Sequence, residues 1–468
     1  MNSEIQGIVT AIKSGQSTAR AEVEKAIAAA KEKDNLHALL ELFENEALAR
    51  ADDIDVRIKN GENVGRLAGI PYVAKDNFLT TVGHTTAAAK ILENFESPLD
   101  ATAIERLDAE GAILIGKANL DAFAHGGSTE NSAFGPTKNV VDPERVAGGS
   151  SGGSAAIVAA GVVPFALGSD TGGSIRQPAS FNGAVGYKPT YGMISRYGVV
   201  AMASSTDVVG PLTRTVADAE LLSEILAGPD GKDSTVHDDY FISQTTDKPL
   251  KIGLIREFIG DGVDEQVVTS TKAFVDRLKS SGHTVEEVDL PMAKYSLAIY
   301  YIVVPAEVSS NLARYDGVRY GLRSATAKSL DDVYGQSRDQ GFMPENKRRI
   351  MIGSYVLSSG YFDAYYLQAQ KARTLLIQEF DKLFDEYDFL IGPTAPTPAF
   401  KLGENTADPI KMYLADAMTV PSSLAGLPAL SLPNGVNDQG LPIGVQIIGR
   451  QKDDARLLSF AKTMEVHS

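Results

Sequence analysis

Three polar residues have the types and settings for acyl-transfer chemistry: Lys75, Ser150 and Ser174. Lys75 ends an apolar stretch, and the serines lie in glycine-rich runs at 148–154 and 168–174. Glycine-rich turns let backbone N–H groups and hydroxyls approach a ligand closely. A lysine at a strand end can act as the base for such hydroxyls. The combination therefore indicates acyl transfer without histidine.

A serine–lysine system has explicit physical requirements. The hydroxyl is a poor nucleophile until a base takes its proton, and lysine is such a base only where its pKa is lowered. The developing oxyanion needs preorganised donors, which the successive backbone N–H groups of Thr171, Gly172 and Gly173 offer. A second serine between lysine and nucleophile relays the proton, because a hydroxyl both donates and accepts.

Composition and charge restrict the class of protein. The 468 residues suffice for one large α/β domain or two to three smaller ones. Cysteine is absent, which excludes disulfides and a cysteine nucleophile. No signal-peptide pattern and no run of about 18 apolar residues is present, so we expect a cytoplasmic enzyme without a membrane partner. The net charge of −16 disfavours direct nucleic-acid binding as the main activity.

Hydrophobic periodicity predicts an α/β fold. The segment from about Ser3 to Lys59 has the pattern of amphipathic helix, and strand-like runs alternate with helical segments after residue 66. A helical, tyrosine-rich segment is expected at about 295–387. Short strands beyond residue 389 are expected to rejoin the first sheet.

The segment from Gly111 to Ala118 matches most of a phosphate-binding loop. However, Ala118 stands where Ser or Thr must ligate magnesium. The residues between the two glycines are mostly branched and apolar, which suits a buried strand. The pattern therefore favours a strand over a nucleotide site.

The segment from Gly148 to Gly152 also fits Gly-x-Ser-x-Gly, the nucleophile elbow of α/β-hydrolases. That elbow needs a strand directly before the serine and a histidine late in the chain. The preceding segment contains Pro143 and charges, which favour a loop, and no histidine after Ser150 has a supporting motif. A Ser-His-Asp triad is therefore disfavoured.

The run from Gly148 to Ala179 resembles the signature of the amidase signature family. Within it, nearly the whole chain is similar to the A subunits of bacterial glutamyl-tRNA(Gln)/aspartyl-tRNA(Asn) amidotransferases. The other segments that carry the similarity are 73–77, 128–139, 186–192, 309–321 and 357–366. The resemblance implies an α/β fold with a single large amidase-signature domain at 61–468, a mixed β-sheet sandwiched between layers of α-helices. Residues 1–60 would form a helical segment packing on this core, and 295–387 an excursion that contributes to the substrate pocket.

The family's catalytic roles carry over by position. Ser174 matches the acylated nucleophile, and Ser150 matches the bridging serine, which is typically next to a cis peptide. Lys75 matches the base. The resemblance thus implies a Ser-Ser-Lys triad.

Glutamine, the implied substrate, carries two charged groups that its binding site must pair. Its α-carboxylate needs a guanidinium and its α-ammonium needs a carboxylate. Arg349 resembles the family's carboxylate-binding arginine, with adjacent Arg348 as the alternative, and Asp416 resembles its amine-binding aspartate. Ser128 is expected to line the pocket wall. His125 stands where relatives usually have an uncharged residue, and we expect a structural role for it.

The implied activity is hydrolysis of glutamine to glutamate and ammonia. A partner B subunit would use the ammonia, with ATP and Mg²⁺, to convert Glu-tRNA(Gln) to Gln-tRNA(Gln), and a small C subunit would complete the heterotrimer. We expect no cofactor and no metal in this chain, and charged tRNA mainly on the B subunit. Two alternatives remain open: a free-standing amidase acting on another carboxamide, and an inactive scaffold protein.

Overall fold

The computed structural model describes residues 3–239, 241 and 249–465. Within them, eleven strands form one mixed β-sheet. In chain order the strands are β1 (Leu39–Leu42), β2 (Pro71–Lys75), β3 (Ile113–Ala118), β4 (Phe165–Asp170), β5 (Val185–Lys188), β6 (Val208–Thr213), β7 (Lys251–Ile255), β8 (Thr284–Val288), β9 (Phe389–Pro393), β10 (Ala429–Val436) and β11 (Pro442–Ile448). Across the sheet they follow the order β1-β3-β2-β4-β6-β5-β10-β11-β9-β7-β8. β2 is parallel to β3 and β4, β7 is parallel to β8 and β9, and the other neighbours are antiparallel.

Fifteen α-helices occur in the same described ranges. In chain order they are α1 (Glu4–Lys13), α2 (Ala19–Glu32), α3 (Glu44–Lys59), α4 (Thr102–Ala109), α5 (Gly152–Ala159), α6 (Arg176–Asn182), α7 (Val216–Leu226), α8 (Glu265–Ser280), α9 (Ser296–Asn311), α10 (Leu330–Gly341), α11 (Pro344–Val356), α12 (Leu367–Phe384), α13 (Pro409–Leu414), α14 (Val420–Leu424) and α15 (Asp454–Met464). No helix among the described residues has the length and apolar character needed to cross a bilayer.

Apolar clusters hold the helices on both faces of the sheet. On one face, α1, α4, α7, α8 and α15 pack against strand residues such as Tyr72 and Ala74. The other face is covered by α2, α3 and α5 around Val73, and by α9, α12 and α14 around Leu390. Because successive strand side chains point to opposite faces, Lys75 shares the face of Val73. The predicted mixed sheet between helical layers is confirmed.

The first 60 residues depart from the helical prediction at one place. Leu39–Leu42 forms β1, an antiparallel edge strand on β3, between α2 and α3. The prediction of helix throughout 3–59 is therefore wrong at this strand, because pairing with a distant segment overrides local composition. Val23 of α2 and Ile54 of α3 are buried in the core. The domain boundary at residue 60 stays a prediction.

The tyrosine-rich segment 295–387 contains α9, α10, α11 and α12. α9 and α11 cross closely at Gly353, where a Cβ atom would collide with the carbonyl oxygen of Pro305. Val303 of α9 and Leu376 of α12 are buried in the same core cluster. This packing holds α11 against the body of the protein.

The structure shows neither a phosphate-binding loop at residues 111–118 nor a nucleophile elbow at residues 148–152. Lys117 lies within β3, and its buried Nζ donates to Phe78 O at 2.7 Å and to Thr85 Oγ1 at 2.9 Å. The same atom lies 3.2 Å from Asp76 Oδ1. Lys117 thus serves a buried structural network. Ser150 follows a loop and not a strand, contrary to the hydrolase elbow.

Candidate active site

Lys75 closes β2 and is completely buried. Its Nζ lies 2.7 Å from Ser150 Oγ, 2.9 Å from Ser169 Oγ and 3.3 Å from Ser169 O. Burial lowers the pKa of Lys75 to about 7, although nearby carboxylates, Asp121 foremost, oppose the effect. Near neutral pH, much of this amine is therefore unprotonated and able to accept a proton.

Ser150 lies in the turn that leads into α5, and its side chain is fully buried. The peptide bond between Gly149 and Ser150 is cis. A Cβ atom at Gly149 would collide with Asp121 Oδ2, so the turn requires glycine there. Gly149 N donates to Gln177 Oε1 at 3.0 Å, which ties the turn to α6. These contacts fix the backbone that presents Ser150 to Lys75.

The loop between β4 and α6 is anchored by two threonines. Thr171 Oγ1 donates to Asp207 Oδ1 at 2.7 Å, and Thr419 Oγ1 donates to Gly172 O at 2.6 Å. Gly173 has a φ of 151°, and a Cβ atom there would collide with Thr419 Oγ1. The backbone N–H groups of this loop are therefore held in a fixed arrangement, as donors to an oxyanion must be.

Ser174 ends this loop and is 8% exposed. Its carbonyl oxygen accepts a hydrogen bond from Ser151 N at 3.1 Å, which joins the two glycine-rich segments. Among the described residues, Ser174 Oγ has no hydrogen-bond partner. The structure thus brings the side chains of Lys75 and Ser150 together, and links Ser174 to them through the backbone.

A buried ion pair supports the same loop. Arg176 and Asp170 are both fully buried, with 2.9 Å between Nη2 and Oδ1 and 3.0 Å between Nε and Oδ2. Asp170 Oδ2 also accepts from Ile175 N at 3.2 Å. Burial raises the pKa of Asp170, but the charge of Arg176 outweighs this and holds that pKa below its usual value. Asp170 and Arg176 therefore act as supports of the loop.

A cavity of about 270 Å³ adjoins this loop. The residues that line it include Ser128, Tyr301, Arg349 and Asp416. We call it the Arg349–Asp416 cavity. Asp416 connects the cavity to the loop, because a Cβ atom on Gly173 would lie 3.4 Å from Asp416 Oδ1. Ser128 is buried, and its Oγ accepts a hydrogen bond from the N–H of residue 130 at 3.3 Å.

Arg348 and Arg349 both line this cavity, but only Arg349 is enclosed by protein. Arg349 is 3% exposed, whereas the Arg348 side chain is 45% exposed and pairs with Glu345. Arg349 Nε donates to Glu345 Oε1 at 2.9 Å, and its guanidinium lies 5.3 Å from the centre of the Tyr301 ring. Its two terminal nitrogens have no hydrogen-bond partner among the described residues. Both are available for a bidentate contact with a carboxylate.

Asp416 follows α13 and presents a carboxylate with no hydrogen-bond partner in the described part of the chain. Its enclosure by protein raises its pKa to about 8, against the opposing charge of Arg349. An ammonium group in the cavity would find this carboxylate as an ion-pair partner and would favour its ionised form. The cavity therefore offers one cationic and one anionic group to a ligand.

Comparison with known proteins identifies the family of the chain. A family model described as Amidase matches residues 21–458. The chain belongs to the amidase family. This amidase is 53% identical over 437 residues to the A subunit of glutamyl-tRNA(Gln) amidotransferase from Geobacillus thermodenitrificans, covering 92% of the chain and 90% of the relative. The A subunit from Thermosynechococcus vestitus is 53% identical over 435 residues, with the same coverage.

Solved structures agree with this assignment. The A subunit of glutamyl-tRNA(Gln) amidotransferase from Thermotoga maritima superposes on this amidase with a TM-score of 0.78 at 40% identity, covering 94% of this chain and 90% of that chain. A bacterial aryl acylamidase of the amidase signature family superposes with a TM-score of 0.81 at 27% identity, covering 97% and 95%. The fold is therefore shared with amidases whose names state different substrates.

Sequence reasoning missed four residues that support the site of this amidase and that lie outside its recognised motifs. Thr419 and Asp207 anchor the loop after β4. Tyr301 and Tyr413 stack with 3.7 Å between ring centres, next to Arg349. None of the four belongs to a glycine-rich run. The tyrosine-rich composition of 295–387 was the one signal in the sequence, and it covers Tyr301 alone.

Proposed function

We propose that this amidase is the glutamine-hydrolysing subunit of a tRNA-dependent amidotransferase. The Arg349–Asp416 cavity carries the proposal, because it presents the two terminal nitrogens of a guanidinium, and a carboxylate, all unpaired among the described residues, next to the serine-bearing loop. Glutamine has a carboxylate and an ammonium at the end opposite its amide, so the two charges match it. The 53% identity to the A subunits of glutamyl-tRNA(Gln) amidotransferases supports the same assignment.

In the proposed mechanism, Ser174 Oγ attacks the amide carbon of glutamine. Its proton passes to Ser150 Oγ, whose own proton passes across 2.7 Å to Lys75 Nζ. The oxyanion accepts hydrogen bonds from the backbone N–H groups of Thr171–Ser174. The C–N bond then breaks, and Lys75 returns the proton through Ser150 to the departing nitrogen, which leaves as ammonia. Water attacks the acyl-enzyme, Lys75 again accepts and returns a proton, and glutamate is released.

The partners form part of the same proposal. A B subunit would consume the ammonia, with ATP and Mg²⁺, to amidate glutamate on tRNA(Gln), and a C subunit would complete the heterotrimer. The charge of −16 supports a tRNA site mainly on the B subunit. Among the described residues, no group of three or more His, Cys, Asp or Glu side chains is arranged to hold a metal ion. The absence of a cofactor in this chain and its cytoplasmic location stay predictions.

A substrate panel tests the proposal. The chain is purified with its B and C subunits, and hydrolysis of glutamine is compared with hydrolysis of an acyl anilide. We expect glutamine to be hydrolysed and its ammonia to appear on Glu-tRNA(Gln). Turnover of the anilide without turnover of glutamine would point to a free-standing amidase, and turnover of neither amide would point to an inactive scaffold. The paired charges of the cavity favour neither alternative.

A further inference from the structure

His125 contributes to the wall of the Arg349–Asp416 cavity, and the proposed mechanism gives it no task. Its side chain is fully buried, and its Nδ1 lies 2.7 Å from Nδ2 of Asn346, which is also fully buried. Its Nε2 is buried and has no hydrogen-bond partner among the described residues. Buried polar atoms are nearly always hydrogen-bonded, so this atom requires an explanation.

The contacts of Asn346 determine which tautomer His125 adopts. Asn346 Oδ1 accepts from Met343 N at 3.1 Å, and Nδ2 donates to Ala122 O at 2.8 Å. If the amide were flipped, Nδ2 would face the N–H of Met343 and Oδ1 would face the carbonyl oxygen of Ala122, so neither hydrogen bond could form. An amide nitrogen only donates, so His125 Nδ1 is the acceptor and carries no proton. In a neutral ring the proton is then on Nε2.

The ring is neutral in this environment. Burial, and after it the charge of Arg349, lower the pKa of His125 well below its ordinary value. Nε2–H is therefore an uncharged donor on a residue of the cavity wall. None of the carboxylates of Asp121, Glu130 and Glu345, which line the same cavity, accepts a hydrogen bond from it.

Arg349 lines the same cavity as His125, and its charge acts on the imidazole. Arg349 follows Asn346 by three residues on α11, so both side chains are on the same face of the helix. The contact between His125 and Asn346 fastens the first turn of that helix to the cavity wall. A carboxylate held by the terminal nitrogens of Arg349 would bring an acceptor to the wall that carries His125.

We propose that His125 is a specificity-determining residue, whose Nε2–H donates a hydrogen bond to the α-carboxylate of glutamine beside the guanidinium of Arg349. The inference rests on the proposed function, because it takes glutamine as the substrate. The α-carboxylate is remote from the amide and keeps its charge throughout the reaction. The contact therefore stabilises substrate and transition state equally, and its loss raises KM and leaves kcat nearly unchanged.

Three amides test the proposal: glutamine, glutaramate, which lacks the amine, and 4-aminobutanamide, which lacks the carboxylate. His125→Leu is expected to raise KM about tenfold for glutamine and for glutaramate, and to leave KM for 4-aminobutanamide unchanged. His125→Gln, whose terminal nitrogen can replace Nε2, is expected to recover part of the loss. His84→Leu alters a histidine that is 39% exposed and outside the cavity wall, and serves as the matched control.

Nitrogen NMR of the histidine-labelled wild-type complex gives a second readout that needs no variant. We expect His125 Nε2 protonated and Nδ1 unprotonated at neutral pH, and the opposite tautomer or an imidazolium overturns the inference. A KM that rises equally with and without the α-carboxylate also overturns it. A wild-type complex that ignores glutamine defeats the proposed function and this inference together. If the wild-type complex hydrolyses glutamine and His125→Leu leaves KM for glutamine unchanged, the inference about His125 is wrong and the proposed function stands.

Discussion

Lys75 Nζ and Ser150 Oγ lie 2.7 Å apart, and neither side chain reaches solvent. The amine comes from the end of β2 and the hydroxyl from the turn before α5, so residues 75 positions apart in the chain meet. Burial brings the pKa of Lys75 to about 7, where an amine can take a proton from a hydroxyl and return it. In the proposed mechanism this pair supplies the proton transfer that histidine provides in Ser-His-Asp hydrolases.

Glutamine hydrolysis is expected to rise with pH through an apparent pKa near 7. Lys75 accepts a proton only when neutral, and its pKa is about 7, so activity is lost below this value and levels off above it. Lys75→Arg keeps its charge at every accessible pH and should lower kcat by about 10⁴-fold or more. The pH profile of kcat at saturating glutamine measures both effects, because the titration of Asp416 acts on KM. A rate that falls between about pH 6 and about pH 8 would contradict the role of Lys75 as base.

Ser174→Ala is expected to abolish glutamine-dependent amidation by the assembled complex and to leave ammonia-dependent amidation intact. Loss of the nucleophile should lower glutaminase kcat by about 10⁴-fold or more. Ser151→Ala is the matched control, because it removes a neighbouring hydroxyl that donates to Ser169 O at 3.2 Å. Mass spectrometry of the protein trapped by a glutamine-like electrophile locates the acylated residue. A label on Ser150 would reverse the two serine assignments.

Arg349→Lys is expected to raise KM for glutamine on the order of 10- to 100-fold, because lysine cannot replace a bidentate guanidinium. Arg348→Lys is the adjacent control and should change KM little, since the Arg348 side chain is 45% exposed. Steady-state kinetics of the two variants decide between the arginines. A larger effect at Arg348 would transfer the carboxylate contact to that residue.

Asp416→Asn is expected to raise KM for glutamine and to spare glutaramate, which has no amine. The raised pKa of Asp416, about 8, means that Asp416 is mostly protonated at neutral pH when the cavity is empty. An ammonium pairs with the ionised form, so KM for glutamine should fall as pH rises toward 8. That dependence should be absent for glutaramate and absent in the variant. Identical KM profiles for the two substrates in the wild type would exclude the contact.

Asp170→Asn is expected to destabilise the protein by about 3–5 kcal/mol, because it leaves the buried charge of Arg176 unpaired. Thermal unfolding measures the loss, and glutaminase activity should fall with it as the serine-bearing loop loses its support. Asp385→Asn removes an ion pair with Arg450 whose side chains are 80% and 54% exposed, and should leave the unfolding midpoint nearly unchanged. If the two variants had equal unfolding midpoints, the ion pair between Asp170 and Arg176 would not stabilise the loop.

The proposed reacting groups could be selected from the sequence because each has a local signal. Lys75 ends an apolar run that forms β2, and Ser150 and Ser174 lie in glycine-rich runs that form the turns before α5 and α6. The choice between Arg348 and Arg349 depends on how α11 packs against α9, which local sequence does not state. β1 was missed for the same reason, since its conformation comes from pairing with β3.

Contacts across long sequence separations were the least predictable part of the site. Thr419 meets Gly172 across 247 residues, and Asn346 meets His125 across 221. Thr419 and Asn346, taken alone, have unremarkable settings in the sequence. Their pairing follows from tertiary packing, and the orphaned donor on His125 becomes visible only when both partners are placed.

The proposed reacting groups and much of the cavity wall come from different stretches of the chain. Lys75, Ser150 and Ser174 belong to the central sheet and its glycine turns, whereas α9, α11 and residues 405–416 supply much of the cavity wall. A laboratory library confined to those outer stretches would therefore vary selectivity while every member kept the same reactive centre. Substrate selection and bond cleavage are thus assigned to separate parts of the fold, which makes it a suitable starting scaffold for new amidases.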